Sequence, residues 1–188
     1  ETIKLEYASS TTTTWPLLVT NGMNGLHFMS MGYNGLGNRR IKLLKGSSYG
    51  YVKPAFAIMV FGSQFGGGKA VIANESKYFQ RGGEIAADTH DRIPVSNSIF
   101  ANADIATWVN GTSVNPAERG LSGGWEILSF DTAGETVHGL GFNGAVGTTT
   151  NSKGQNYGEV LLFSETPTAE ERIAAEKYLA KKWGLAND

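Results

Sequence analysis

The carboxylates Glu84, Asp88 and Asp91 come nearest to a catalytic constellation in this chain. Hydrolysis of a glycosidic bond needs an acid and a second carboxylate on either side of it, and one face of a strand offers positions only at even spacing. Spacings of four and three cannot put all three on one face. The set also runs into the polar stretch Asp88-Thr89-His90-Asp91-Arg92, which reads as a solvated turn with one ion pair. No enzyme is expected. The same region, with Asn97, Asn102 and Asp104, carries hard oxygen ligands of the kind calcium takes. No D-x-D-x-D spacing fixes them, and Asn and Asp that bond their own backbone in turns account for the same residues. Calcium through Asp88 and Asp91 is the single cofactor for which the chain gives grounds, and otherwise none is expected. His27, His90 and His138 are too scattered for zinc. Gly66-Gly67-Gly68-Lys69 lacks the spacing of a phosphate loop and predicts a hairpin turn between 56–64 and 70–73.

Sugar recognition needs a flat aromatic face flanked by amides or Arg that hydrogen-bond hydroxyls. The segment from Met31 to Arg40 brings such groups together: Tyr33 to stack, and Asn34, Asn38 and Arg39 to hydrogen-bond. A Gly-rich turn with Asn at left-handed backbone angles would use the same residues. Trp15, next to the run Thr11 to Thr14 and before Pro16, is the tryptophan expected to be exposed, whereas Trp108, Trp125 and Trp183 read as packing residues. With His90 these make the candidate ligand-binding set Tyr33, Asn34, Asn38, Arg39, Trp15 and His90. His27 and His138 alternate with apolar neighbours and are expected on the strand surface.

The elements that must carry these groups are short strands. Alternating or apolar runs predict them at 3–7, 26–29, 40–44, 56–62, 70–73, 84–87, 105–109, 126–130, 136–140 and 157–163. The long connections are 30–39, 88–103, 111–124 and 142–156, and loops of that length are where binding is usually found. Asn110-Gly111-Thr112 is read only as a glycosylation sequon. Near the end the period changes from two to about four. Thr168 and Glu171 form a T-x-x-E capping box, Ala175, Leu179 and Trp183 form one stripe, Lys177, Lys181 and Lys182 sit near the negative end of the dipole, and Gly184 stops the helix. A helix over about 169–183 is predicted.

Composition suits the same reading. The chain has 188 residues with 25 Gly and 18% charged residues, as many strands and tight turns require, and one domain over 1–188 is expected. A net charge of −1 gives no electrostatic case for nucleic acid, and no apolar run predicts membrane insertion. Without Cys the core must supply stability unaided. Glu1 in place of an initiator Met suggests a mature or excised segment.

Gly158, Glu159, Glu171, Arg172, Tyr178, Leu179, Lys182, Trp183, Gly184 and Leu185 together resemble the C-terminal signature of the concanavalin A-like lectin/glucanase superfamily, in its bacterial laminin-G-like branch. Asn24 to Phe28, Ala55 to Gly62 and Gly139 to Gly141 fit it more loosely. The E-x-D-x-x-E pattern of the glucanases is missing. The resemblance implies an all-β fold, a two-sheet antiparallel jelly-roll sandwich with one C-terminal α-helix. It also implies a non-catalytic carbohydrate-binding module of an exported bacterial protein, secreted or on the cell surface, with a glycan or an extracellular protein as partner. A structural or adhesive cell-surface domain without a small-molecule ligand is the alternative; a glycan hydrolase would require Glu84, Asp88 and Asp91 to converge in a cleft.

Overall fold

A computed structural model describes residues 3–7, 17–31, 41–45, 48–49, 52–63, 69–73, 78–81, 105–116, 118–119, 122–134, 137, 139–140 and 155–185. The chain is mostly β, with one C-terminal helix. Strands β1 (Ile3–Tyr7), β4 (Ile41–Lys45), β5 (Ser48–Tyr49), β7 (Lys69–Ala73), β8 (Tyr78–Arg81) and β12 (Gly139–Leu140) form a six-stranded sheet ordered β1-β4-β12-β7-β8, with β5 on β4. Strands β2 (Leu17–Val19), β3 (Phe28–Ser30), β6 (Phe56–Ser63), β9 (Thr107–Val109), β10 (Thr112–Val114), β11 (Trp125–Asp131) and β13 (Gln155–Phe163) form a seven-stranded sheet ordered β10-β9-β11-β6-β13-β3-β2. Every pairing described within these sheets is antiparallel.

The centre of the larger sheet is β6, an uncharged run with β11 on one edge and β13 on the other. Such a run is what a strand buried on both faces requires. Ala57, Met59 and Phe61 join Leu128, Phe130 and Tyr157 in a cluster that also takes in Ile72 and Leu140 from the smaller sheet. Phe56, Ile58 and Val60 point the other way and pack with Ile127, Leu179 and Trp183. Helix α1 (Ala169–Trp183) therefore lies on the face of the seven-stranded sheet opposite the first cluster.

Several expectations change. The glycine-rich segment before Lys69 does not close a hairpin, because both edges of β6 are already occupied and β7 belongs to the other sheet. The predicted strand at 26–29 starts only at Phe28, since Asn24 and Gly25 take left-handed angles in a short 3₁₀ turn. Of the predicted strand 136–140, the described residues are β12 and Val137, which bridges Val52. The connection 111–124 opens with a strand, β10. Asn110 and Gly111, both at positive φ, make a two-residue turn between β9 and β10, and an Asn-Gly pair between alternating residues is the strongest short-range hairpin signal. The predicted strand 84–87 lies outside the described residues.

Candidate functional site

Most residues of the C-terminal segment hold the helix to the sheet, whereas Tyr178 is exposed. Gly158 lies flat under Trp183: a Cβ there would come within 2.8 Å of the indole. Gly62, opposite Asn156 on β6, lies in the same way under Trp125, and the two indoles stack with centroids 6.0 Å apart. A register shift between Tyr157 and Val160 sets this geometry. One extra residue flips the alternation, so Tyr157, Val160 and Leu162 face one cluster while Leu161 and Phe163 face the helix. The extra residue also carries Glu159 to the helix, where one oxygen accepts from Trp183 Nε1 (3.2 Å) and from Lys182 Nζ (2.7 Å). That bond holds the Lys182 ammonium above its ordinary pKa, against partial desolvation.

The helix ends are equally specified. Thr168 Oγ1 accepts from the Glu171 backbone N–H, and Glu171 accepts from the Thr168 backbone N–H (2.8 Å) and hydroxyl (2.9 Å). The backbone bond first and the hydroxyl second hold the Glu171 carboxyl below its ordinary range. At the other end Gly184 takes a left-handed angle, and Asn24 Nδ2 donates to the Lys182 carbonyl (2.8 Å). Between them Arg172 and Glu176, one turn apart, are both buried. Arg172 Nη1 donates to both carboxylate oxygens at 2.7 and 2.8 Å, and its guanidinium lies 4.3 Å from the Trp108 ring centre. The sequence stripe of Ala175, Leu179 and Trp183 does not include this pair, although its i,i+4 spacing is the available signal.

Beside that pair, a groove of about 650 Å³ opens between α1 and the β9–β10 turn. Ile127, Ile173, Ala180 and Leu185 supply its apolar surface, and Asn110, Thr112, Lys177 and Lys181 its polar rim. Asn110 Oδ1 accepts from the Ile127 N–H (2.8 Å), which ties the turn to β11. None of the groove residues was among the candidate site residues, because a groove formed by two distant segments has no spacing to read.

Of the sequence-predicted site residues, Trp15, Tyr33, Asn34, Asn38, Arg39, Asp88, His90 and Asp91 all lie outside the described residues, as do Glu84 and His138. Strand register nevertheless fixes where their segments are anchored. In the six-stranded sheet Tyr7, Ile41, Leu140, Lys69 and Arg81 share one end. In the other sheet Leu17, Ser30, Gln155, Ser63 and Trp125 share one end. The connections 8–16, 32–40, 64–68 and 141–154 each run from one of these ends to the other, and 82–104 begins there. At this end Gln155 is wholly buried; its Oε1 accepts from the Tyr157 hydroxyl (2.7 Å) while its Nε2 has no partner among the described residues.

Comparison with protein-family models, curated proteins and solved structures returned no match. Among the described residues no three His, Cys, Asp or Glu gather as a metal site, and no helix is long and apolar enough to cross a membrane. His27 is exposed as expected but precedes β3 instead of lying on a strand, and it accepts from the Asn21 N–H (3.3 Å). Glu126, buried on β11, accepts from Arg119 (2.8 Å) and the Ser122 N–H (3.1 Å).

Proposed function

We propose that this protein is a non-catalytic carbohydrate-binding module of an exported bacterial protein, built as a concanavalin A-like jelly-roll sandwich. One observation carries the reading. The segments that bear Trp15 and the group Tyr33, Asn34, Asn38 and Arg39 are separate in sequence, yet both are tied to the same end of the two sheets. An aromatic ring from one segment beside amides and a guanidinium from another is the apparatus a pyranose requires, one face for stacking and a fork of donors for vicinal hydroxyls. The 82–104 segment, with His90, Asp88 and Asp91, starts from the same end and adds either hydrogen-bonding groups or a calcium ion that would organise the loops. The fold by itself carries no function.

Glycan-array binding by the purified domain tests this. Binding to a defined glycan class is expected, with loss of signal in Tyr33→Ala and Trp15→Ala at unchanged circular dichroism. Binding to no glycan, or binding indifferent to both substitutions, would overturn the reading in favour of a structural or adhesive domain held by protein contacts.

A further inference from the structure

We infer that the groove between α1 and the β9–β10 turn is a docking site for an acidic peptide segment with apolar anchor residues, supplied by a partner protein. The inference does not depend on sugar binding, because the groove lies on the helix-covered face and uses none of the loop residues.

Charge decides the class of occupant. Lys177 and Lys181 line the groove one helical turn apart, and no ion pair described for the chain engages either of them. Lys182, the neighbouring cation, is different: its ammonium is committed to Glu159. Glu176 is the one acid in the lining, and Arg172 covers both of its oxygens, so the pair presents no net negative charge to an occupant. Two uncommitted ammonium groups over an apolar floor match carboxylates flanking aliphatic side chains.

Shape decides that the occupant is a chain. The lining runs from Ile173 to Lys181 along α1, roughly 12 Å at the helical rise, or about four residues of extended peptide. Ile173, 40% exposed, offers a first apolar contact at one end, and Leu185 and Ala180 continue it. Gly111 on the facing wall has no side chain and sits beside Glu176, whose carboxylate a Cβ there would meet at ordinary contact distance, 3.7 Å. Asn110 uses its Oδ1 on Ile127 and keeps its amide N–H groups for a peptide carbonyl.

Fluorescence anisotropy with labelled Glu-Glu-Leu-Leu-Glu-Glu, Ser-Ser-Leu-Leu-Ser-Ser and Lys-Lys-Leu-Leu-Lys-Lys peptides tests the assignment. The acidic peptide should bind about tenfold or more tighter than the neutral one, weaken with salt, and lose about tenfold in Lys177→Glu/Lys181→Glu. Ile173→Ser should weaken it independently, and Lys53→Glu, an exposed lysine away from the groove, should leave it unchanged. Thermal unfolding confirms that each variant is folded. No saturable binding of the acidic peptide up to about 1 mM overturns the proposal. So does an equal loss in Lys53→Glu, which would mean unspecific attraction. Preference for octanoate over the acidic peptide would overturn it too, assigning the groove to a free amphipathic carboxylate.

Discussion

The two faces of the seven-stranded sheet are buried by different means. On one side Ala57, Met59, Phe61, Leu128 and Phe130 pack with Ile72 and Leu140 of the smaller sheet. On the other, the helix docks through stacked indoles over two glycines, a buried ion pair against Trp108, and a carboxylate shared by Lys182 and Trp183. Apolar burial is non-directional, so many sequences would fill the first face. The second depends on particular atoms at particular distances. The contacts that depend on particular residue types therefore gather at the helix, where they hold it to the sheet.

The largest expected effect tests the apolar side. Phe61→Ala removes a fully buried ring from the cluster and should destabilise the protein by about 4 kcal/mol in chemical denaturation. A loss below that of any helix-side substitution would reverse the ranking of the two faces. Next comes the ion pair: Glu176→Leu strands a buried guanidinium and should cost about 3 kcal/mol, most of it recovered in Arg172→Met/Glu176→Leu. Equal stability of the single and double variants would show that the pair acts only through packing.

Gly158→Ala should cost about 2 kcal/mol, because the methyl must displace the Trp183 ring. In a Trp183→Leu background the same change should be nearly neutral; additive losses would mean that the flat seat is not what Gly158 provides. Thr168→Ala, which removes the cap, should cost about 1 kcal/mol.

The smallest effect is a pH dependence. Hydrogen bonds from Thr168 lower the folded pKa of Glu171 below its ordinary 4.5, so its contribution is present above pH 4.5 and is lost as pH falls towards the folded value. The stability difference between the wild type and Glu171→Gln should shrink over that window. A difference that grew on acidification would contradict the capping role.

Local hydrogen-bonded rings and short periods are legible because all their partners lie within a few residues. Thr168, Glu171 and Gly184 delimit the helix that forms, β1 spans the predicted residues, and the apolar run of β6 shows two-sided burial. The Asn110-Gly111 turn is equally local, although the same residues also spell a glycosylation sequon. The candidate binding residues stand differently: their types suggest a chemistry, but only strand register ties the segments of Trp15 and Tyr33 to one end.

The amino-acid sequence alone thus determined the mostly β character, the helix with its caps, and the residue types available to a ligand. Tertiary structure alone decided that β6 and β7 join different sheets, that the shift after Tyr157 turns Glu159 towards Trp183, and that Arg172 and Glu176 are buried. It also decided that a helix and a distant hairpin enclose a groove edged by two lysines. The division has one physical cause. A cap or a turn is satisfied by neighbours along the chain, whereas sheet edges, burial and grooves are settled by which distant segment arrives to cover them.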